Sequence, residues 1–288
     1  MINSYRIVIQ SPYLKNYHIE YLLPYLNKDS IIENINQTAA CIKNAECNKD
    51  TRIKLFNWAK ENFIDIAFVQ NNNKLENYKI LAIDMDSTLI NIETIDEIAC
   101  VLGLRKEISK ITNAAMNGYC NFQESLKQRV SLLKGTPISI LNDVYHYRLK
   151  LNTGSKKLID SAKKAGLITL LISGGFTFFT KKLHKLLNFD MSYANDLEVL
   201  NGKITGNIRE PLLDSYAKAK YLIDISKKYN ISHKKRIAVG DGANDLKMFK
   251  AAGFSIAYHA KPIVREQANH FLDFCGLDGI LNLFDTTI

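Results

Sequence analysis

The chain has 288 residues and a formal net charge of +9, with 47% apolar and 23% charged residues. This composition is typical of a globular protein that can bury an apolar core, and it excludes disorder as the main state. Only 14 glycines and 5 prolines are present, which excludes collagen-like and low-complexity chains, and the length favours about two domains.

Residues 1–77 predict a small α+β domain. Their apolar pattern is strand-like at 4–10, 30–42 and 63–69, and helical at 14–26 and 50–61. A mixture of this kind favours a sandwich of helices on a sheet, and the run Asn71-Asn72-Asn73 suits a linker. Because the region holds no catalytic pattern, we expect a separately packed domain whose role could be regulatory.

From residue 78 onward, strands and helices alternate. Apolar runs that suit buried parallel strands lie at 79–84, 167–173, 236–241 and 254–258, and helical segments lie at 155–165, 176–187, 214–229 and 243–251. This order predicts an α/β fold with a doubly wound parallel sheet, formed by residues 78–93 and 150–288. A hairpin over 192–209 would turn at Asn201-Gly202. Ligands of such sheets bind at the carboxyl ends of the strands.

Residues 94–149 interrupt the alternation. Four segments have helical spacing, at 94–102, 105–117, 121–134 and 137–148, and none is strand-like. Helices inserted after the first strand would sit above the edge of the sheet where ligands bind. We therefore expect 94–149 to form a helical cap that acts as a lid.

The sequence IDMDSTL (83–89) places Asp84 and Asp86 two residues apart at the end of an apolar strand. A carboxylate is an adequate nucleophile towards phosphorus, and a second acid can protonate the leaving oxygen and later activate water. The pair alone would fit a surface turn equally well. The buried strand before it and Ser87-Thr88-Leu89 after it favour the catalytic interpretation.

Two further motifs also follow apolar strands. Ser173-Gly174-Gly175 offers a hydroxyl and bare N–H groups to an anion, and GDGANDLKM (240–248) offers oxygen ligands of the kind that Mg²⁺ prefers. Each motif alone also fits an ordinary turn or a helix cap. Lys218 is a lone helical lysine with Lys220 as a competitor, and only the order of the motifs selects it.

In this order, the DxDST, SGG, lysine and GDGxND motifs resemble those of the haloacid dehalogenase superfamily of phosphotransferases. Segments 114–135 and 260–269 are similar to the phosphoserine phosphatases of that superfamily. The resemblance covers about residues 78–285 and implies a haloacid dehalogenase-like Rossmannoid core with a helical cap. Some bacterial members carry an N-terminal regulatory domain, and residues 1–77 could be a divergent one.

The resemblance implies a role for each matching residue. Asp84 would be the nucleophile and a magnesium ligand, and Asp86 the acid and base, whose main-chain carbonyl also binds the metal. Asp241 would complete the protein's share of the Mg²⁺ shell. The transferred phosphoryl group would be held by Ser173, the N–H of Gly174, and Lys218. Glu93 would meet the substrate ammonium and Arg129 its carboxylate. Met116 and Phe122 would close the pocket, and Asn244 would lie beside the phosphoryl group. Thr88, Gly175 and Asp245 would support these residues from behind.

The implied activity is hydrolysis of O-phospho-L-serine through an aspartyl-phosphate, the last step of serine biosynthesis. Two alternatives within the superfamily are phosphoryl transfer to homoserine and hydrolysis of another small phosphomonoester. A regulatory binding protein with a vestigial phosphatase core is an alternative from another class. Most of the positive charge falls in residues 150–288, but its lysines stand in pairs on helical segments. Solvated helix faces are therefore favoured over a nucleic-acid surface.

The remaining expectations concern compartment and partners. The five cysteines form no CxxC pair and are odd in number, so free thiols in a reducing cytoplasm are expected. The start of the chain is a poor signal peptide, and no apolar run approaches the roughly 18 residues of a membrane span. We expect a small-molecule substrate, no nucleic-acid or membrane partner, and a homodimer as one possible assembly.

Overall fold

The computed structural model describes residues 5–26, 28–45, 47–116 and 119–285, except for the side chain of Met116. The chain begins with a four-stranded antiparallel sheet in the order β2-β3-β1-β4. Its strands are β1 (Tyr5–Gln10), β2 (Ile31–Asn36), β3 (Ala39–Ala45) and β4 (Asp65–Gln70), and its helices are α1 (Asn16–Glu20) and α2 (Lys49–Glu61). This is the α+β arrangement that the sequence predicted.

Two predictions in this sheet were wrong in detail. The strand predicted over 30–42 is a hairpin of β2 and β3, because the Asn36 side chain accepts hydrogen bonds from the N–H and the hydroxyl of Thr38 (2.9 and 2.8 Å) and closes a turn. The helix predicted over 14–26 ends at Glu20. A short 3₁₀ turn over Leu23–Tyr25 follows, and Pro24 within it cannot extend an α-helix.

The larger sheet has six parallel strands in the order β12-β11-β10-β5-β6-β7. They are β5 (Ile80–Ile83), β6 (Ile168–Phe176), β7 (Met191–Asn195), β10 (Arg236–Gly240), β11 (Phe254–Tyr258) and β12 (His270–Leu272), with the hairpin β8 (Leu197–Leu200) and β9 (Lys203–Ile208) between β7 and β10. The predicted α/β class and parallel sheet are confirmed. The sequence pattern missed the short strand β12, and it assigned residues of β7 to the hairpin.

Alternate residues of each strand face opposite sides of the parallel sheet, as the strand period requires. On one side, Leu81 and Ile83 pack in a cluster with helices α7 (Ser155–Lys164) and α8 (Thr177–Leu187). On the other, Ile80 and Ala82 pack with α9 (Ser215–Lys228), α10 (Leu246–Lys250) and α11 (Pro262–Arg265). The sheet is therefore covered by helices on both faces, which is the doubly wound arrangement.

The inserted region is helical, as expected. Its helices are α3 (Thr94–Val101), α4 (Arg105–Met116), α5 (Phe122–Ser131) and α6 (Ile140–Tyr147). The hairpin of β8 and β9 is hydrogen-bonded to this region: the N–H groups of Gly135 and Ile138 donate to the carbonyls of Ile204 and Gly202 (2.8 and 2.9 Å). Over the described ranges, no helix is both long and apolar enough to cross a bilayer.

The first sheet buries apolar side chains on both of its faces. Ile7, Ile9 and Ile66 pack with Leu55 of α2 in a cluster of their own. Val8, Ala67 and Val69 belong instead to the large cluster that contains Leu283 and Phe284.

A polar clamp reinforces this contact between the two sheets. The Asp65 carboxylate is 2% exposed, and it accepts hydrogen bonds from the N–H groups of Asp273, Phe274 and Cys275 (2.6, 3.1 and 2.8 Å). Charge-assisted bonds of this kind are the stronger hydrogen bonds of proteins. The first sheet is thus docked on the loop that follows β12.

Candidate active site

Three neighbouring strands of the parallel sheet lead to polar residues at one edge. Asp84 follows β5, Ser173 lies near the end of β6, and Asp241 follows β10. Strand β5 pairs with both of the others in parallel, and the N–H of Asp84 donates to the Val239 carbonyl (3.0 Å). The three side chains are therefore held on adjacent strands, at the kind of edge where such sheets bind ligands.

Lys218 joins two carboxylates at this edge. It is 1% exposed, and its Nζ lies 2.7 Å from Asp84 Oδ1 and 2.8 Å from Asp245 Oδ1. Burial lowers the pKa of the lysine, but the charges and hydrogen bonds of the two carboxylates outweigh it and raise that pKa above its ordinary value. Lys218 therefore stays charged. Its competitor in the sequence, Lys220, is exposed.

The turn after β5 bends so that Asp86 returns towards the site. The bend depends on Ser87, whose φ of 53° is in the left-handed region. Asp86 Oδ1 accepts from the N–H of Thr94 (3.1 Å), and Oδ2 accepts from its hydroxyl (3.4 Å). Burial, followed by the charges of Glu93 and Asp84, raises the pKa of Asp86 well above its ordinary value. A carboxyl that keeps its proton near neutral pH can act as a general acid.

The end of β6 forms a compact loop of one serine and two glycines. Ser173 is fully buried, and its Oγ accepts a hydrogen bond from the Gly175 N–H (2.9 Å). A Cβ on Gly175 would lie 2.6 Å from Asp86 Oδ2, and one on Gly174 would lie 3.1 Å from the Phe122 ring. Because Gly175 has no side chain, the proposed acid Asp86 can approach the loop closely. The same holds at Gly174 for Phe122 of the cap.

Three carboxylates surround one small volume. Oxygens of Asp84, Asp241 and Asp245 all lie within 4.8 Å of one another, and the Thr88 hydroxyl donates to Asp241 Oδ1 (3.0 Å). Burial, then the charges of Asp84, Asp245 and Glu93, raises the pKa of Asp241 to about 8. Burial and the Asp84 charge raise the pKa of Asp245 to about 7. This crowded set of oxygens fits a divalent cation that prefers carboxylate ligands.

Glu93, which precedes α3, and Arg129 of the cap bring one acid and one guanidinium to the same region. Glu93 Oε1 accepts from the Ser87 hydroxyl (2.7 Å). Burial lowers the pKa of Arg129, and the charges of Asp96, Glu93 and Asp86 partly offset that shift. Arg129 Nε donates to the Ser125 carbonyl (3.3 Å), and no residue that the structure describes forms an ion pair with this guanidinium. It is thus available to an anionic group of a ligand.

Helix α5 also bridges the cap and the core directly. Its Gln123 side chain donates to Asp214 Oδ2 (2.7 Å), and Lys127 pairs with Glu210 Oε1 (2.7 Å). Asp214 is the N-cap of α9, the helix that carries Lys218. The cap therefore lies closed against the segment that leads into α9, the helix of Lys218.

Two predicted positions remain less defined. Asn244 is half-buried in the turn after β10, beside the acidic cluster. Met116 ends α4, and its side chain is outside the described residues. The other twelve predicted site residues lie at the carboxyl edge of the sheet or on the part of the cap that faces it.

Sequence reasoning missed several supporting residues. Asn152 donates to the carbonyls of Thr88 and Ile90 (2.8 and 3.1 Å) and holds the turn after β5. Oδ1 of Asp96, which lies near Arg129, is buried without a hydrogen-bond partner among the described residues. Asn195 binds the loop at Gly174. None of these residues stands in a recognisable motif, because each acts on a segment far along the chain.

Comparisons with known proteins show which family this chain belongs to. A family model for haloacid dehalogenase-like hydrolases matches residues 81–250. A phosphoserine phosphatase from a Polaromonas species is 47% identical over 215 residues, covering 73% of this chain and 91% of that protein. The resemblance inferred from the motifs is confirmed.

Solved structures extend the similarity. A crystal structure of a HAD family hydrolase from Salmonella enterica serovar Typhi superposes with a TM-score of 0.90 at 31% identity, covering 99% of this chain and 100% of that one. A structure described as a phospho-aspartyl intermediate analogue of phosphoserine phosphatase has a TM-score of 0.68 at 41% identity, covering 72% and 99%. The first of these likenesses includes the N-terminal sheet as well as the core and the cap.

Proposed function

Since this chain belongs to the haloacid dehalogenase-like hydrolases, among their phosphoserine phosphatases, we propose that it hydrolyses O-phospho-L-serine to L-serine and phosphate, completing serine biosynthesis. One observation carries the proposal. A buried Asp84–Lys218 pair stands at a strand end, opposite Glu93 and the cap residue Arg129. Such a site offers a nucleophile for phosphorus and complementary charges for an amino acid.

In the first half-reaction, Asp84 attacks the phosphorus and forms an aspartyl-phosphate, while the bond from phosphorus to the serine oxygen breaks. Asp86, whose pKa is raised well above its ordinary value by burial and by the charges of Glu93 and Asp84, gives its proton to that oxygen. In the second half-reaction, the Asp86 carboxylate takes a proton from water as the water oxygen attacks phosphorus. Phosphate leaves, and the Asp84 carboxylate and the Asp86 proton are restored.

The transferred phosphoryl group needs partners for its charged oxygens. Lys218 supplies a fixed positive charge beside Asp84. Ser173 supplies a hydroxyl, and its Oγ already accepts a hydrogen bond from Gly175, so its own proton is free to be donated. The Gly174 N–H would provide a third donor from the same loop.

The acidic cluster fits a magnesium ion. Carboxylate oxygens of Asp84 and Asp241, with the main-chain carbonyl of Asp86, would hold it, and Asp245 would adjoin them. Burial, and then the charges of Asp84 and Asp245, raise the pKa of Asp241 to about 8, and a cation would offset the repulsion among these carboxylates. When bound, Mg²⁺ supplies positive charge that neutralises the phosphoryl oxygens.

Substrate selection would rest on Glu93 and on residues of the cap. Glu93 would meet the ammonium group of phosphoserine, and the planar Arg129 guanidinium would bind both oxygens of its carboxylate. Phe122, whose ring lies against Gly174, and Met116 would close the pocket above the phosphoryl group. Asn244, Thr88 and Gly175 would support the site from the core.

Phosphate release from a panel of phosphomonoesters, with and without Mg²⁺, tests the proposal. We expect phosphoserine to be the preferred substrate and EDTA to abolish turnover. A preference for an ester without ammonium and carboxylate groups would support a general phosphomonoesterase. Appearance of phosphohomoserine when homoserine is added would identify a transferase instead.

The remaining proposals concern organisation. Residues 1–77 would form an N-terminal domain, 94–149 the cap, and 78–93 with 150–288 the catalytic core. The five cysteines are free, which supports a reducing compartment such as the cytoplasm. A homodimer stays a prediction, which light scattering would test.

A further inference from the structure

One buried amide side chain connects the two segments that would hold the phosphoryl group. Asn195 ends β7, the edge strand of the parallel sheet, and is 2% exposed. Its Nδ2 donates to the Gly174 carbonyl (2.8 Å) and to the Leu213 carbonyl (3.3 Å), and its Oδ1 accepts from the Leu213 N–H (2.7 Å). Both ends of the amide are therefore satisfied by main-chain groups of two different segments.

The first contact fixes the orientation of the loop after β6. The peptide between Gly174 and Gly175 is held at its carbonyl by Asn195 and at its N–H by Ser173 Oγ (2.9 Å). If that peptide turned, Ser173 would lose its donor, and its hydroxyl could rotate to a different partner. Asn195 thus keeps the Ser173 proton directed away from the loop and available to an anion.

The second contact fixes where helix α9 begins. Asn195 binds both main-chain polar groups of Leu213, and Leu213 directly precedes Asp214, the N-cap of α9. The Lys218 N–H donates to the Asp214 carbonyl (2.9 Å), so Lys218 lies in the first turn after the cap. A shift of Leu213 would move the lysine relative to Asp84.

We propose that Asn195 is a positioning residue that sets the spacing between the Ser173–Gly174 loop and Lys218. It touches neither the substrate nor the reacting atoms. It acts on the two groups that hold the phosphoryl oxygens, which come from segments more than 35 residues apart in the chain. This inference rests on the proposed phosphoryl chemistry, although it does not depend on which phosphomonoester is the substrate.

The position of Asn195 in the sheet explains why an asparagine serves here. Beyond Ile172, the pairing of β6 with β7 is irregular and resumes only at Phe176 and Asn195. The Gly174 carbonyl therefore needs a partner outside the regular ladder, and a buried carbonyl without one is unfavourable. An amide offers a donor and an acceptor without introducing a charge near the phosphoryl group.

Two substitutions in the full-length protein test this role. Asn195→Ala removes both contacts. Asn195→Asp keeps the size and the acceptor for the Leu213 N–H, but once ionised it cannot donate to the Gly174 carbonyl. Steady-state kinetics with phosphoserine and with p-nitrophenyl phosphate, inhibition by inorganic phosphate, and the melting temperature are measured for each.

We expect kcat to fall by roughly 10- to 100-fold on both substrates, because small displacements of positioned groups cause losses of this size. The fold-loss should be equal for the two substrates, since they share only the phosphoryl group, and inhibition by phosphate should weaken in parallel. This pattern differs from that of Arg129, whose loss should affect phosphoserine far more than p-nitrophenyl phosphate.

Asn73→Ala is the matched control. Asn73 also uses both ends of its amide, on the Leu283 carbonyl (3.2 Å) and the Tyr78 hydroxyl (2.9 Å), but it lies before β5, away from the carboxyl edge. The Asn73→Ala substitution should lower the melting temperature and leave kcat unchanged. Folded Asn195 variants with kcat and phosphate inhibition within twofold of wild type would overturn the proposal. Activity losses that merely follow melting temperature across all three variants would also overturn it.

If the wild-type protein hydrolyses p-nitrophenyl phosphate but not phosphoserine, the substrate assignment fails. The comparison of Asn195 variants on p-nitrophenyl phosphate still decides the positioning role. The two proposals therefore fail through different measurements.

Discussion

Lys218 shows how a single residue can be fixed by its surroundings. A buried lysine is ordinarily unfavourable because its charge loses hydration. Here two carboxylates at 2.7 and 2.8 Å compensate for that loss, and one of them is the proposed nucleophile. The ion pair holds Asp84 in place and leaves its second oxygen free to attack.

The two aspartates of the turn after β5 should differ in their effects. Asp84→Asn removes the nucleophile, so no aspartyl-phosphate should form and turnover should fall to background. Asp86→Asn should still bind substrate but lose roughly 10²- to 10⁴-fold in rate, the usual contribution of general acid–base catalysis. Rapid-quench trapping of the phosphoenzyme distinguishes the two. Near-normal turnover by Asp84→Asn would refute covalent catalysis.

Arg129 should determine selectivity rather than chemistry. Arg129→Ala would leave the carboxylate of phosphoserine without a partner under a closed cap, and an unpaired buried charge costs several kcal/mol. We expect kcat/KM on phosphoserine to fall by roughly 100-fold or more. On p-nitrophenyl phosphate it should change little, and this second substrate serves as the internal control. Equal losses on both would indicate a folding defect or a different substrate.

As a proposed magnesium ligand, Asp241 should make the effect of Mg²⁺ on stability depend on pH. Its pKa of about 8 in the folded protein without metal exceeds its ordinary value, so its protonated form is favoured on folding. Without metal, its contribution to stability is therefore fully present below about pH 4 and is lost as the pH rises towards 8. Mg²⁺ requires the ionised carboxylate and competes with that proton.

The increase in melting temperature caused by Mg²⁺ should therefore grow between pH 6 and pH 9. Thermal unfolding in EDTA and in excess Mg²⁺ across this range measures it, with Asp241→Asn as the control that should lose most of the increase. A magnesium effect that is constant or greatest at pH 6 would contradict the assignment of Asp241 as a ligand.

At the scale of elements, the turn that joins β6 to α8 is constrained by the close approach of the Asp86 side chain. Gly175 faces Asp86 Oδ2 so closely that a Cβ would lie 2.6 Å from it. The turn therefore permits Asp86 to reach the phosphoryl site, and the identity of residue 175 is set by a side chain about 90 residues earlier.

Gly175→Ala should displace the Asp86 carboxylate and lower kcat by roughly 100-fold, since a misplacement of about 1 Å can have that effect. Circular dichroism should show an intact fold, because Gly175 does not have a positive φ. A fully active Gly175→Ala variant would show that Asp86 does not need this approach.

The elements that could be predicted from sequence are those with local causes. The apolar runs of β5, β6, β10 and β11 and the motifs at their ends identified the sheet and most of the candidate site. The apolar pattern predicts one strand where β2 and β3 form a hairpin, because a side chain, that of Asn36, makes the turn. Strand β12 is three residues long, too short to show a period. Asn195 and Asn152 were missed since hydrogen bonds to distant main-chain groups leave no spacing pattern.

At the scale of the whole molecule, the first sheet and the core share apolar surface. A protein beginning at Asn77 would keep every proposed catalytic group, but it would lose Val8, Ala67 and Val69 and so expose Leu283 and Phe284 of the same cluster. Losing the buried contacts of Val8, Ala67 and Val69 should cost at least about 3 kcal/mol, which corresponds to a decrease of roughly 6–12 °C in melting temperature.

Calorimetry and kinetics on the truncated protein measure this expectation. Turnover per folded molecule should stay within a few-fold of the full chain, because no proposed catalytic group is removed. Asp65→Ala in the full chain is the control for the polar clamp: it should lower the melting temperature and leave kcat unchanged. A folded, soluble truncated protein without activity would show that residues 1–76 contribute to the active site.

The clamp at Asp65 also has a consequence for synthesis on the ribosome. Its N–H partners begin at Asp273, 208 residues later, so at about 5–20 residues per second they are made roughly 10–40 s afterwards. The first sheet can form its own core with α2 early, but Val8, Ala67 and Val69 pack in a cluster whose members Leu283 and Phe284 are made last. During that interval part of the apolar face of the sheet is exposed to solvent, which makes the nascent protein a candidate for chaperone binding.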